Sequence, residues 1–185
     1  MTELLPVPKI RQHPDPVLRE VSRPVAVDDD ATMAKVRELV MAMREAMYDR
    51  GGIGLSAVQI GVPAGVFIVH VRNETSEPLV FVNPELMSVS PDTCEMVEGC
   101  LSFGLERDLI ERPKRCVVKR YDEYGRRDVY DYRGMTARAI QHEMDHLQGR
   151  LFIDFLSKAR QRMILRTMSR RADKRPVRVQ QAVTI

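Results

Sequence analysis

Met135-Thr136-Ala137-Arg138-Ala139-Ile140-Gln141-His142-Glu143-Met144-Asp145-His146-Leu147 is the stretch on which the fold reading turns. Its apolar residues recur at helical spacing, and Gly149 stands where such a helix would close. Within it, His142 and His146 lie four residues apart, on one face of a helix, where two imidazoles can bind a single cation. Glu143 lies beside them, and its carboxylate can act at a hydrolytic metal as general base and then general acid. The competing reading is a solvated helix with two chance histidines. It fares poorly because the chain has only 4 histidines and offers candidates for a third ligand and an open position.

Upstream of that helix the signals are those of strands: 66–71, 79–82, 95–97, and two alternating runs, 116–121 and 127–132. The last two flank Asp122-Glu123-Tyr124-Gly125 and read as a hairpin. Nearer the start, Asp28-Asp29-Asp30 precedes Met33, Val36, Leu39, Val40, Met43 and Met47 at helical spacing, and acidic residues suit a helix start. Gly51 and Gly52 should end that helix, leaving Gly52-Ile53-Gly54-Leu55 as a loop whose backbone can approach a ligand closely. A further amphipathic helix is expected from Asp154 to about Arg171. Helix, strands, then helices make an α+β fold. No internal repeat is visible, and the tail 176–185 carries no readable signal.

At 185 residues, 44% hydrophobic and 30% charged, the chain suits one domain with one core. Its apolar runs are far shorter than the roughly 18 residues of a membrane span. Residues 1–11 do not read as a secretory signal, so a cytoplasmic location is expected. Three cysteines, Cys94, Cys100 and Cys116, make an odd count without regular spacing, which argues against a disulfide framework. The net charge of +3 is too small to imply nucleic-acid binding by itself.

The third ligand must come from elsewhere. Cys100, in Glu98-Gly99-Cys100-Leu101-Ser102, would complete a two-His, one-Cys set and leave a fourth position for water. Cys116 falls in an apolar-leaning strand and reads as a small buried hydrophobe. Spacing alone does not dismiss Cys94. A hydrolytic site also needs donors aimed at a developing oxyanion. Gln59 and the backbone N–H of Leu101 are candidates, although a lone glutamine is more often an ordinary surface residue.

Taken together, Gly52-Ile53-Gly54-Leu55-Ser56-Ala57-Val58-Gln59, Glu98-Gly99-Cys100-Leu101-Ser102 and Gln141-His142-Glu143-Met144-Asp145-His146-Leu147 resemble the three motifs of peptide deformylases, in that family's order. The likeness takes in Pro14-Asp15-Pro16-Val17-Leu18 and covers roughly residues 8 to 160. It implies mainly antiparallel sheets packed around a central metal-binding helix, in one catalytic domain over 1–185, with a basic helix at 154–175 and a tail at 176–185. It also implies Cys100, His142 and His146 as metal ligands, ferrous iron as the usual metal, and zinc or nickel as possible occupants. Catalysis would be hydrolysis of N-formylmethionyl nascent peptides, with a metal-activated water attacking, Gln59 and the Leu101 N–H holding the oxyanion, and Glu143 shuttling the proton. The peptide would lie as an added strand beside Gly52, Ile53 and Gly54, with Glu98, Arg107 and Arg138 as further contacts.

Some positions depart from the family pattern. Ser56 stands where alanine is usual, and Gly104 replaces a proline. Arg138 stands where an apolar side chain usually borders the methionine pocket, so its guanidinium should either point to solvent or polarise the pocket. The basic run Lys158, Arg160, Arg162, Arg166, Arg170, Arg171, Lys174 and Arg175 reads as a solvated face or, by the resemblance, as a ribosome contact. Two other functions share parts of these signals. A zinc metalloprotease would use the same His-Glu-x-x-His helix but leave the cysteine and glycine-glutamine motifs without a role. A non-catalytic binding protein would not need Glu143.

Overall fold

The computed structural model of the chain describes residues 7–173. Helix α1 (Asp30–Asp49) begins where Asp29 accepts a hydrogen bond from the Thr32 N–H at 2.8 Å. It buries Met33, Val36, Val40, Met43 and Met47 along one face. Seven strands follow: β1 (Gly54–Ser56), β2 (Val66–Val69), β3 (Leu79–Val89), β4 (Thr93–Gly99), β5 (Arg107–Pro113), β6 (Arg115–Tyr121) and β7 (Arg127–Arg133). Helix α2 (Gly134–Leu147) comes next and α3 (Lys158–Asp173) closes the described chain.

The strands form two antiparallel sheets, one of five in the order β1-β2-β3-β6-β7 and one of two, β4-β5. The register of β3 against β6 slips between Val82 and Glu85, at Pro84, which has no N–H to donate to the ladder. All four residues of β2 are buried because both faces of the large sheet are covered. Val66 and Ile68 pack with α1 residues such as Val40 and Met43, while Phe67 and Val69 pack with Ala137 and Ile140 of α2. A third cluster, including Leu18, Phe103, Ile110, Phe152 and Ile164, secures the small sheet and α3. Each fully buried aromatic or aliphatic side chain contributes roughly 1.5–3 kcal/mol.

The α+β class and the hairpin at 122–125 agree with the sequence reading, and Gly125 takes the positive φ of +75° that the turn requires. Four details differ. Gly54 and Leu55 belong to β1 rather than to a loop, since they pair with Val69 and Ile68. Strands β3 and β4 run well beyond 79–82 and 95–97. Strand β5 was not anticipated, because its buried face carries Asp108, Ile110 and Arg112 while Leu109 faces out. The last helix starts at Lys158 rather than Asp154. Asp154 sits in a 3-10 turn, where its carboxylate accepts from the Leu151 N–H at 2.8 Å and pairs with Arg19. Lys174, Arg175 and the tail 176–185 lie outside the described residues, as do residues 1–6 of the expected non-signal N-terminus.

Candidate metal centre

Helix α2 is buried almost all round, and its 3.6-residue period turns His142 and His146 to the same side, with ring centroids 5.1 Å apart. Cys100 follows the last residue of β4 and opens the 3-10 turn Leu101–Phe103. The nearest ligand atoms of Cys100, His142 and His146 all lie within 4.8 Å of one another, and Cys100 Sγ is 3.3 Å from His146 Nε2. Among the described residues no other such group of three occurs. The other two cysteines are elsewhere. Cys94 Sγ contacts Arg138 at 3.4 Å, and Cys116 lies fully buried against the Ala137 carbonyl, where burial pushes its thiol up to about 12.

A buried thiolate and two imidazoles, with no competing carboxylate in the group, fit a borderline-soft divalent ion such as zinc or ferrous iron. His142 also has the outer brace that such ligands usually have, since its Nδ1 lies 3.1 Å from Glu98 Oε2, leaving Nε2 for the centre. Burial works against a charge on His142, yet its bonds to Cys100 and Glu98 outweigh burial and carry its pKa up to about 10. Burial, reinforced by His142, holds His146 well below the usual histidine range.

Glu98 is the hub of a buried ionic network. Arg112 donates to it through Nε at 2.7 Å and Nη2 at 3.0 Å, and Arg138 donates through Nη1 at 2.5 Å. Burial alone would raise its pKa, but the bonds to His142 and Arg112 prevail and bring it down to about 2. Arg112 also reaches Asp145 at 2.8 Å, so the next turn of α2 is fastened to β5. Arg138 does not point to solvent, the first of the two sequence expectations. Its guanidinium is buried and engaged by Glu98, the Ile110 carbonyl at 3.0 Å and the Cys94 carbonyl at 2.6 Å, while its side chain borders the cleft.

The other motif delivers Gln59 and Glu143 to the same place. Gln59 is buried on a 3-10 turn, where its Oε1 accepts from the Ser56 N–H at 2.9 Å. That bond directs Nε2 toward Ser102 Oγ at 3.1 Å and Cys100 Sγ at 3.4 Å. Glu143 is buried, and burial pushes its carboxyl up to about 7, against the pull of His142 and Ser56. A Cβ built on Gly54 would come within 2.5 Å of Glu143 Oε1, so only glycine leaves room for that carboxylate. Backbone bonds from Arg11 to the Gln59 carbonyl at 2.7 Å and from His13 to the Ser102 carbonyl at 2.9 Å clamp both motifs. Gln12 adds a side-chain bond to the Leu101 carbonyl at 3.0 Å. No sequence signal had marked these three.

Gln59, Cys100, His142 and Glu143 line a cleft of about 290 Å³. Its lining includes Gly52, Ile53 and Gly54 from the glycine turn and Val97, Glu98 and Gly99 from β4. Leu101, Met135 and Ala139 add apolar surface. Exposed Arg107 sits at the rim with its guanidinium over Gly99. Among the described residues, the flanking β1 is an edge strand of the large sheet and β4 pairs only with β5. No helix among the described residues is long and apolar enough to cross a membrane.

Comparison with known proteins gives consistent results. A family model described as polypeptide deformylase matches residues 7–162. The peptide deformylase of Bartonella quintana (strain Toulouse) is 42% identical over 170 residues, covering 91% of this chain and 94% of that protein. That of Rhizobium meliloti (strain 1021) is 42% identical over 164 residues, covering 88% and 92%. Among solved structures, a peptide deformylase from Legionella pneumophila superposes with a TM-score of 0.82 at 34% identity, covering 92% of this chain and 99% of the other. One from Synechococcus elongatus in complex with actinonin gives 0.80 at 32% identity, covering 89% and 87%.

Proposed function

The chain belongs to the polypeptide deformylase family, and from that premise we propose how its cleft works and which residues carry each role. It is a metal-dependent hydrolase that takes the formyl group from the N-terminus of nascent polypeptides. Cys100, His142 and His146 hold one divalent cation, and their convergence within 4.8 Å in a buried cleft is the observation that supports this reading most directly. The cation, when bound, supplies Lewis acidity toward the formyl oxygen and toward water. Ferrous iron is the metal we assign in the cell, with zinc or nickel able to occupy the same donors.

The remaining work falls to side chains and backbone. A water oxygen bonds to the formyl carbon as Glu143 takes a proton from that water. The C–N bond then breaks, Glu143 delivers that proton to the departing amine, and the water's second proton passes to the free amine as the acid leaves as formate. A carboxyl near neutrality is matched to a group that must both accept and give a proton. Gln59 Nε2 and the Leu101 N–H face the oxygen that becomes negative. The peptide lies between Gly52-Ile53-Gly54 and the free edge of β4, bonded as an added strand, with Arg107 at the rim available to its acidic groups. Glu98 and Arg138 shape the floor of the cleft from below.

In this reading residues 1–185 form one catalytic unit working in the cytoplasm, and α3 touches the ribosome. Arg162, Arg166 and Arg170 carry the contact, because Arg160 and Arg171 are already paired with Asp108 and Glu106 of the body. Reversing those three charges should abolish ribosome co-sedimentation at low salt; unaltered co-sedimentation would refute the contact. For the chemistry, anaerobic purification with metal analysis should find one iron per chain, followed by formate release from a formyl-Met peptide. Glu143→Ala should lose nearly all of that release. Internal cleavage of an unblocked peptide without formate release would overturn the assignment.

A further inference from the structure

Ser56 belongs neither to the cation's donor set nor to the pair facing the oxyanion, yet it contacts both halves of the reactive site. It is fully buried at the end of β1, opposite Phe67 of β2, and so rests on a paired strand. Its hydroxyl lies 2.8 Å from Glu143 Oε2 and 3.1 Å from the Glu143 main-chain carbonyl. Its N–H meets Gln59 Oε1 at 2.9 Å. Among the described residues no other side chain donates to the Glu143 carboxylate.

We infer that Ser56 is a positioning residue that holds the proton-carrying carboxylate and the Gln59 amide in one frame. The inference rests on the role of Glu143 given above. A glutamate side chain has three rotatable bonds, and burial alone does not select among their settings. Here the carboxylate is fixed from two sides: the Ser56 hydroxyl holds Oε2, and the Cβ-free backbone of Gly54 leaves a slot for Oε1. The Gln59 bond comes from the backbone, so it survives any side-chain change at position 56 that leaves β1 in place. Only the Glu143 tether depends on the hydroxyl. An alanine at this position could not supply it.

Ser56→Ala is the discriminating variant, because it removes one oxygen from a packed site and adds nothing. Losing a hydrogen bond to a charged group in a buried site should lower kcat by about tenfold. KM should stay within about twofold, since the peptide binds the edges of β1 and β4, and metal content and Tm should match the parent protein. A crystal structure of the variant should show the Glu143 carboxylate displaced or in more than one rotamer. Unchanged kcat overturns the inference, as does a Glu143 carboxylate that keeps its place. A fall in kcat, metal content and Tm together also overturns it, because the hydroxyl would then be merely structural. Glu143→Gln serves as the control. If it too retains full activity, the role of Glu143 fails; if it is inactive while Ser56→Ala matches the parent, only the inference about Ser56 fails.

Discussion

Glu74→Ala should destabilise the helix that carries His142, Glu143 and His146 without touching any of them. The Glu74 carboxylate accepts from the Met135 N–H at 3.0 Å, the Thr136 N–H at 2.8 Å and the Thr136 hydroxyl at 2.8 Å. Arg133, at the N-cap position of α2, makes no side-chain capping bond, so the first-turn donors are met by a residue 62 positions earlier in the chain. Gly134 takes a φ of +61°, and a Cβ there would press to 2.8 Å from the same carboxylate. A lost cap with its dipole component costs about 1–2 kcal/mol once solvent screening of this exposed side chain is allowed for. For a chain of this length that is a Tm lower by about 2–8 °C.

The pH dependence tests the cause of that shift. Desolvation raises the Glu74 pKa, but its bonds to Thr136 and Met135 outweigh that and hold it below the ordinary 4.5. The cap therefore stabilises fully above the unfolded pKa and is lost as pH falls through the lower folded value. Thermal unfolding of parent and variant should differ at neutral pH and converge in acid below that folded value. Equal Tm values at neutral pH, or a gap that persists undiminished in acid, would refute the capping argument.

Gly54→Ala places a methyl against Glu143 Oε1 and should lower kcat by about 10- to 100-fold with little change in Tm, as read by steady-state formate release. Arg138→Ile strips partners from Glu98 and from the Cys94 and Ile110 carbonyls. It should cost about 2–4 kcal/mol in urea unfolding while leaving relative kcat/KM across a formyl-peptide series unchanged. A changed ranking of those peptides would instead mean that the guanidinium acts on the pocket. Cys100→Ser should purify with little metal and lose the stabilisation that added cation gives the parent, about 2.7 kcal/mol at a hundredfold excess over Kd. Metal analysis and Tm with and without a chelator check this.

The gaps in the sequence reading share a physical origin. Strand β5 escaped it because alternation was sought in apolar residues, whereas its inward face is Asp108, Ile110 and Arg112. The buried Arg112 is matched by Glu98 and Asp145, and Asp108 by Arg160. Charged residues can face inward only when a partner from a distant segment meets them, and no local pattern announces that partner. The partners of Arg138 escaped the sequence for the same reason. Its alternatives were solvent or pocket, while its real partners lie 28 to 44 residues earlier.

What the sequence by itself determined is what helix and turn geometry determine: α1 and α2 from their apolar period, the shared face of His142 and His146, and the hairpin at 122–125. What only the tertiary structure decided is that Cys100, which motif resemblance but not spacing had singled out, meets the histidines, that Gln59 meets Cys100, and what restrains Glu143. The first set depends on contacts within one or two turns of chain, which residue spacing encodes. The second depends on closing loops of 33 to 87 residues, whose ends are brought together by the pairing of strands and the matching of buried charges.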